Sequence, residues 1–296
     1  MPHPVSRPRR SVLYVPATNE KALAKLPQLA CDAVILDLED AVLPEHKVQA
    51  RERLASFFAE KVAGGREFVV RINSLASEWG ADDLAAVSQW AVDGVLLPKV
   101  DTVRDILEAN DVLDNHDAPE GLKLWAMVET PRALVNIAAI AELSRNPGSR
   151  LACLVAGTND LAKDTGVAVT VDRRYLMPWL MQMVLAARAG GLDLLDGVSN
   201  DFRDLEAFAR ECAEAAAMGF DGKTLIHPAQ IAGANAAFSP SAAALAEAQA
   251  IADAFALPEN ASKGVISLGG RMVERLHLVQ AEQLLARAAL IDSFKN

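Results

Sequence analysis

Short apolar runs alternate with longer amphipathic segments along most of the chain. Eight of these runs are brief, apolar on both faces and closed by polar, Gly or Pro residues, which is typical of strands in a buried parallel sheet. The eight runs begin at Ser11, Ala33, Glu67, Asp93, Leu122, Arg150, Gly191 and Gly219. The pattern therefore predicts a protein of the α/β class.

Helical periodicity fills the segments between these runs. The clearest helices are predicted to start at His46, Pro131, Asp172 and Asp201, and Asp201 has the residue type of an N-cap. Eight strand–helix units in about 240 residues predict a (β/α)8 TIM barrel, which we assign to residues 1–238 as the catalytic domain. A doubly wound open sheet is the alternative, but the chain has no G-x-G-x-x-G first turn.

The pattern changes after residue 238. An Ala-rich helical segment is followed by the polar stretch PENASKG and by a long amphipathic run that starts at Ile266. We predict a C-terminal helical extension over residues 239–296. Its apolar stripe should bury against the barrel or reach over a neighbouring subunit.

Polar and ionisable side chains close most of the predicted strands. In a TIM barrel the active site lies at the carboxyl ends of the strands, and buried strands seldom carry charge unless it is paired or coordinating. The side chains at these ends are Asp37, Glu39, Asp40, Arg71, Asn73, Lys99, Glu129, Asn159, Asp160, Asp196 and His227. They predict one polar pocket, in which we give His227 no catalytic role.

Carboxylates outnumber cations in this predicted pocket. Crowded carboxylates repel one another unless they are protonated or share a cation, and a donor set of oxygens alone suits Mg²⁺ or Mn²⁺. Mg²⁺ typically takes one or two protein carboxylates. Glu129 and Asp160 are the predicted metal ligands. The alternative is that they form ion pairs with Arg71 or Lys99.

Arg71, Asn73 and Lys99 supply the remaining polar groups. Arg71 and Asn73 are two residues apart, so both should face the same side of their strand. A guanidinium there can clamp a substrate carboxylate or hold a developing oxyanion, and the alternative is a buried partner for Asp37 or Glu39. We assign Arg71, Asn73, Lys99 and Glu129 to substrate binding. A Schiff-base role and a structural ion pair are the alternatives for Lys99.

Composition and charge limit the classes of partner that we expect for this protein. The 296 residues include 51% hydrophobic residues, which indicates a folded chain, and 29 Lys and Arg against 39 Asp and Glu give a net charge of −10. Such acidity argues against nucleic acid as a partner.

No apolar run approaches the ~18 residues of a membrane span, and no apolar stretch follows the N-terminal charges. Three cysteines without C-x-x-C spacing predict buried thiols, so we expect a soluble cytoplasmic protein.

Several motifs taken together resemble a known family. The segments RSVLYVPATNEKALAK, LDLEDAV, VVRIN, LLPKV, AMVET, GTNDLA, GFDGK and IHPAQI occur in this order over nearly the whole chain. In this order they are similar to the citrate lyase β-subunit and malyl-CoA lyase group of the HpcH/HpaI-type aldolases. The combination of LDLEDAV, GFDGK and IHPAQI is specific, whereas each motif alone is weak.

The resemblance implies a (β/α)8 barrel that uses Mg²⁺ to cleave or form a C–C bond in a CoA thioester. Substrates would resemble malyl-CoA, citramalyl-CoA or citryl-CoA, and the products would be an acyl-CoA and a 2-oxo acid. By position in the motifs, Glu129 and Asp160 match the metal ligands and Arg71 matches the substrate-contacting arginine. Asp37 and Glu39 match acidic residues near the metal, and we assign them with Arg71 to catalysis. A homotrimer or homohexamer is implied.

One position departs from the family pattern. Lyases of this group commonly carry an aspartate in the tail motif S-L-D-G-[RK], which serves as the acid–base of a neighbouring subunit. This chain has Gly269 at that position, between Leu268 and Gly270. A glycine cannot transfer a proton. Three interpretations stay open: the lyase, a (3S)-malyl-CoA-type thioesterase on the same scaffold, and a catalytically silent subunit that binds a CoA ester.

Overall fold

The computed structural model describes residues 7–60, 65–146 and 148–294. The first six residues of the N-terminal segment considered above lie outside this range. Two compact units are present, one formed by Arg9–Phe238 and the other including the residues from Ser239 onwards. The first unit contains a closed barrel of eight strands, which confirms the predicted fold class.

All eight predicted runs contain a strand of the barrel. The strands are Ser11–Pro16 (β1), Ala33–Asp37 (β2), Glu67–Arg71 (β3), Gly94–Leu97 (β4), Lys123–Val128 (β5), Leu151–Ala156 (β6), Asp193–Asp196 (β7) and Gly222–Leu225 (β8). Each strand is parallel to the next, and β1 also pairs with β8, which closes the sheet.

At least one helix follows each strand of the barrel. These helices are Glu20–Lys25 (α1), Lys47–Ala59 (α2), Gly80–Val87 (α3), Val103–Asn115 (α4), Pro131–Glu142 (α5), Thr158–Thr165 (α6), Met177–Gly190 (α7), Leu205–Met218 (α8) and Ile231–Ala237 (α9). The predicted N-cap of α8 is wrong by three residues. Asp204 caps this helix, whereas the Asp201 carboxylate accepts the amide of Arg203 in a preceding turn.

Alternate residues of each strand face the inside of the barrel. On β2 the inward series is Ala33, Ile35 and Asp37, and on β3 it runs from Glu67 through Val69 to Arg71. The apolar members pack together in the barrel interior, and all three cysteines are free and buried. Residues two positions apart on a strand face the same side of the sheet. Where the residue two positions before the end of a strand packs in the barrel interior, the last residue of that strand therefore also faces inward.

Arg9 closes the amino end of the barrel interior. Its guanidinium donates to both oxygens of Glu67 at 2.7 Å each and to Asp193 at 2.6 Å. It also lies 4.7 Å from the ring centroid of Trp125. The carboxylates offset the charge of Arg9, so this end is sealed by a paired and buried group.

A second buried ion cluster lies between the barrel and α8. The Lys223 ammonium donates to Asp196 and Glu211 at 2.6 Å each, and the Arg173 guanidinium reaches Asp196 at 2.8 Å. Burial disfavours the charged form of Asp196, yet Lys223 and Arg173 hold its pKa below the ordinary value. Asp196 faces outwards because Leu195 before it faces the interior. The prediction that Asp196 shares the polar pocket is therefore wrong.

His227 also lies outside the pocket. Its ring stacks on Phe202 with 4.5 Å between the ring centroids, and its Nδ1 accepts the amide hydrogen of Ala229. His227 thus starts the short 3-10 turn Pro228–Gln230.

The second unit contains two helices and a hairpin. The helices are Ala242–Ala256 (α10) and Arg275–Ser293 (α11), and the antiparallel strands are Val265–Leu268 (β9) and Arg271–Glu274 (β10). Gly269 and Gly270 form the turn with φ of +58° and +78°, which suits a two-residue hairpin turn. The two helices confirm the predicted C-terminal helical extension, and the prediction did not include the hairpin. None of the helices described is long and apolar enough to cross a membrane.

Lys223→Met should destabilise the fold, because it leaves Asp196 and Glu211 in a buried site with one cation fewer. We expect a loss of about 3 kcal/mol in the free energy of unfolding, measured by urea titration. Lys123→Met is the matched control, since Lys123 is an exposed lysine at the start of β5, and it should change stability by less than about 0.5 kcal/mol. Equal losses in the two variants would contradict this account of the cluster.

Candidate active site

A cavity of about 370 Å³ opens at the carboxyl end of the barrel interior. Its size suits a small ligand or the reactive end of a larger one. Its polar lining consists of Asp37, Asp40, Arg71, Glu129, Thr158, Asn159, Asp160 and Thr224, and Tyr14, Pro16, Met127, Val198 and Ile226 contribute to the remaining wall. Most of the polar groups predicted from the strand ends therefore meet here.

Asp37 and Arg71 form a bidentate ion pair on one side of the cavity. The two residues are register partners on β2 and β3, and Arg71 donates from Nε to Asp37 Oδ1 at 2.7 Å and from Nη2 to Oδ2 at 2.5 Å. Burial opposes the charge of Arg71, but Asp37 holds its pKa well above the ordinary value. Arg71 is thus a permanently charged partner of Asp37, as one alternative above states, and it also lines the cavity.

Glu39 lies against the remaining edge of the Arg71 guanidinium. Glu39 Oε2 is 2.9 Å from Arg71 Nη1, yet no group among the described residues gives this oxygen a well-directed hydrogen bond. Burial raises the pKa of Glu39 to about 7, although Arg71 acts in the opposite direction. A carboxyl group with this pKa exchanges a proton readily near neutral pH.

The loop that carries Glu39 is fixed from behind. The buried Lys47 ammonium donates to the carbonyl oxygens of Leu38 and Glu39 at 2.9 and 2.7 Å, and the Asn73 amide donates to Leu38 at 3.0 Å and to Asp83 at 2.6 Å. The structure therefore does not bring Asn73 into the cavity, because its amide is committed to this loop. Lys47 was missed because it belongs to a helical pattern and has no neighbouring motif.

Glu129, Lys99 and Asp160 form the opposite side of the site. Glu129 follows β5 and is 2% exposed, and its Oε1 accepts the backbone amide of Lys99 at 2.7 Å. The Lys99 ammonium lies 3.4 Å from the same oxygen and also donates to Asp160 Oδ2. Lys99 therefore bridges the two carboxylates, as the ion-pair alternative above states.

Gly157 permits the close approach that brings Asp160 to Glu129. A Cβ atom at this position would lie 2.2 Å from the Cβ atom of Glu129, so a larger residue would push the two segments apart. Helix α6 begins at the next residue and carries Asp160 in its first turn. The glycine thus sets the spacing of the two carboxylates.

The donor set of this pair fits a hard divalent cation. The described residues contain no group of three or more His, Cys, Asp or Glu side chains that could hold a metal ion. Mg²⁺ needs no such group, since it takes one or two carboxylates and fills its octahedron with water and substrate oxygens. The Lys99 ammonium between Glu129 and Asp160 indicates that these oxygens attract a cation.

Tyr14 and Thr224 line the cavity but were not identified from the sequence. Tyr14 alternates with Val12 on the inward face of β1, and its ring centroid lies 4.9 Å from the Arg71 guanidinium carbon. Burial raises the pKa of the Tyr14 phenol above its ordinary value. The alternation within β1 was the signal that would have placed Tyr14 inside the barrel.

Comparison with known proteins shows which family shares this sequence. The model of the HpcH/HpaI aldolase/citrate lyase family matches residues 10–228. The chain is 45% identical to a (3S)-malyl-CoA thioesterase of Cereibacter sphaeroides over 290 residues, 98% of each protein. It is 34% identical to the mitochondrial citramalyl-CoA lyase of Mus musculus over 294 residues, 96% of this chain and 87% of the lyase.

A solved structure gives a similar result. The CitE protein of Mycobacterium tuberculosis in complex with magnesium, acetoacetate and coenzyme A superposes with a TM-score of 0.76. The two sequences are 32% identical, and the match covers 96% of this chain and 99% of that one. The resemblance inferred from the motifs is confirmed: the chain belongs to the HpcH/HpaI aldolase/citrate lyase family.

Proposed function

We propose that this protein is a Mg²⁺-dependent thioesterase that hydrolyses a CoA ester of the (3S)-malyl-CoA type. The observation that carries the proposal is the 45% identity to a (3S)-malyl-CoA thioesterase over 98% of both chains. The C–C lyase, which the motifs placed first, takes second place.

Gly269 supports hydrolysis over C–C cleavage. An added Cβ atom at Gly269 would meet no heavy atom within 4 Å in the described part of the chain, so crowding does not require a glycine here. An Asp-Gly pair is also well suited to a two-residue hairpin turn. The missing carboxylate is therefore a chemical difference. A lyase has to move a proton at the carbon next to the thioester, whereas hydrolysis has no such step.

Charged residues of the cavity wall, together with Glu39 beside Arg71, divide the work of hydrolysis among them. Glu129 and Asp160 would hold Mg²⁺, which when bound supplies a Lewis acid for the substrate oxygens. Glu39, with a pKa of about 7, removes a proton from the water that attacks the thioester carbonyl. Arg71 stabilises the negative charge that develops on the carbonyl oxygen, and Asp37 keeps its guanidinium in place.

The reaction balances with these groups. Water adds to the carbonyl carbon, the C–S bond breaks, and the proton held by Glu39 passes to the departing CoA thiolate. The products are a hydroxy acid and free CoA. A cavity of about 370 Å³ accommodates the short acyl group, so the rest of CoA lies outside it.

The lyase keeps support from other relatives, among them a citramalyl-CoA lyase. The identity of 34% to a citramalyl-CoA lyase covers 96% of this chain, and the same cation site would serve that reaction. Its products would be an acyl-CoA and a 2-oxo acid.

The homotrimer or homohexamer and the packing of residues 239–296 on a neighbouring subunit stay predictions.

Product analysis separates the candidate functions. With (3S)-malyl-CoA and Mg²⁺, we expect equal amounts of free CoA and malate by mass spectrometry. Glu129→Gln should lower kcat at least about 100-fold, because it removes a carboxylate from the cation site. Glu142→Gln makes the same change at an exposed position of α5 and should leave kcat unaltered.

Other products would contradict the proposal. An acyl-CoA with a 2-oxo acid would identify the lyase. Binding of the ester without turnover would identify the silent subunit.

The pH dependence of kcat/KM tests the role of Glu39. Since Glu39 acts as a base, the rate should rise with pH and level off above the pKa of Glu39, at or below about pH 7 because a bound divalent cation lowers that pKa. Glu39→Gln should be slow and should lack this rise. The measurement is kcat/KM from about pH 5 to about pH 9.

Asp40→Asn is the matched control for this profile. Asp40 raises the pKa of Glu39, so Asp40→Asn should keep the rise in rate but move its midpoint to lower pH. An unchanged rise in Glu39→Gln would show that another group is the base.

A further inference from the structure

We propose that Lys99 is a built-in counter-ion of the Glu129–Asp160 pair, which competes with the divalent cation and thereby sets its affinity. This inference rests on the cation site of the proposed function. In this proposal the divalent cation displaces the Lys99 ammonium, whereas the sequence analysis assigned Lys99 to substrate binding.

The contacts of Lys99 place its ammonium between the two carboxylates. It lies 3.4 Å from Glu129 Oε1 and donates to Asp160 Oδ2. Glu129 is 2% exposed, and an ionised carboxylate at that depth requires a nearby positive charge. Two adjacent carboxylates also repel each other unless a cation lies between them. The ammonium meets both needs.

The backbone of Lys99 directs the side chain to this place. Its φ of +52° lies in the left-handed region, which a non-glycine residue adopts only where the surroundings hold it. Its amide donates to Glu129 Oε1 at 2.7 Å, so the oxygen that faces the ammonium also receives the backbone hydrogen bond. The strained residue is therefore tied to the carboxylate that it neutralises.

Lys99 differs from Arg71 in its freedom to move away. The side chain of Lys99 is 37% exposed and ends in a single ammonium on a flexible stem. The side chain of Arg71 is 9% exposed and is held by two hydrogen bonds to Asp37. Lys99 can turn towards solvent without disturbing the core, so Lys99 is the exchangeable cation of the Glu129–Asp160 pair, whereas Arg71 is a fixed cation of the cavity wall.

Competition follows from the shared oxygens. A divalent cation bound by Glu129 and Asp160 needs the oxygens that Lys99 contacts, so the ammonium has to leave when the cation binds. The lysine then has two opposing effects. It keeps the carboxylates close together and paired when no divalent cation is bound, and it lowers the affinity for that cation.

Calorimetric titration with Mg²⁺ alone, without substrate, tests this inference on the full-length protein. Lys99→Met removes the ammonium and should bind Mg²⁺ about five-fold more tightly than the wild type, as expected for loss of a partly exposed ion pair. In EDTA its melting temperature should be lower than that of the wild type, because the two carboxylates then repel each other. Its gain in melting temperature on adding Mg²⁺ should be larger.

Lys163→Met is the matched control. Lys163 is an exposed lysine of α6, the helix that carries Asp160, so this variant changes the net charge equally but leaves the bridge intact. It should match the wild type in both measurements. Lys99→Gly provides a second test if Lys99→Met does not fold, because glycine accepts a φ of +52° without strain.

Equal or weaker Mg²⁺ binding by the Lys99 variants would overturn the counter-ion role and leave the proposed cation site intact. A wild-type protein that shows no Mg²⁺ binding would overturn both. Hydrolysis of the CoA ester is measured separately, so a failure of the thioesterase assignment is recognisable from its products.

Discussion

Two carboxylates that point into the interior of a closed barrel set the constraint on which the site depends. Asp37 and Glu129 are each 2% exposed, and burying a carboxylate at such a position is costly unless positive charge lies close by. The chain meets this need from neighbouring strand ends, with Arg71 beside Asp37 and Lys99 beside Glu129. The cavity is lined by Asp37, Arg71 and Glu129 and therefore reaches both pairs.

The two ends of the barrel use similar pairs for different purposes. At the amino end, Arg9 is locked by Glu67 and Asp193 and covered by Trp125, which seals the interior. At the carboxyl end, Arg71 is locked in the same way, but Lys99 has a more exposed side chain on a flexible stem. We infer that the first pair serves stability and that the exchangeable lysine serves function.

The alternation of inward positions explains how much of this site could be predicted. Ile35 before Asp37, Val69 before Arg71 and Met127 before Glu129 are apolar interior residues, so each charged residue two positions later also had to face inwards. The inward direction of the charged side chains at the ends of β2, β3 and β5 could therefore be predicted from the sequence.

Residues outside this alternation could not be placed in the same way. Asn73 lies two residues beyond the end of β3, where its direction depends on hydrogen bonds to Leu38 and Asp83 that the sequence pattern does not contain. On β7 the last residue, Asp196, follows an interior residue, Leu195, directly, so Asp196 faces α8 and not the barrel interior. The hairpin of the second unit was missed because its strands are short and lie in a helical pattern, although Gly269-Gly270 is a turn signal.

The central claim is that Glu129 and Asp160 form the cation site and that Lys99 vacates it. Anomalous diffraction from crystals grown with Mn²⁺ in place of Mg²⁺ tests this most directly. We predict one strong peak within about 2.3 Å of oxygens of Glu129 and Asp160, with the Lys99 ammonium turned away from both. A peak at other residues, or no peak and Lys99 still bridging the carboxylates, would contradict the account.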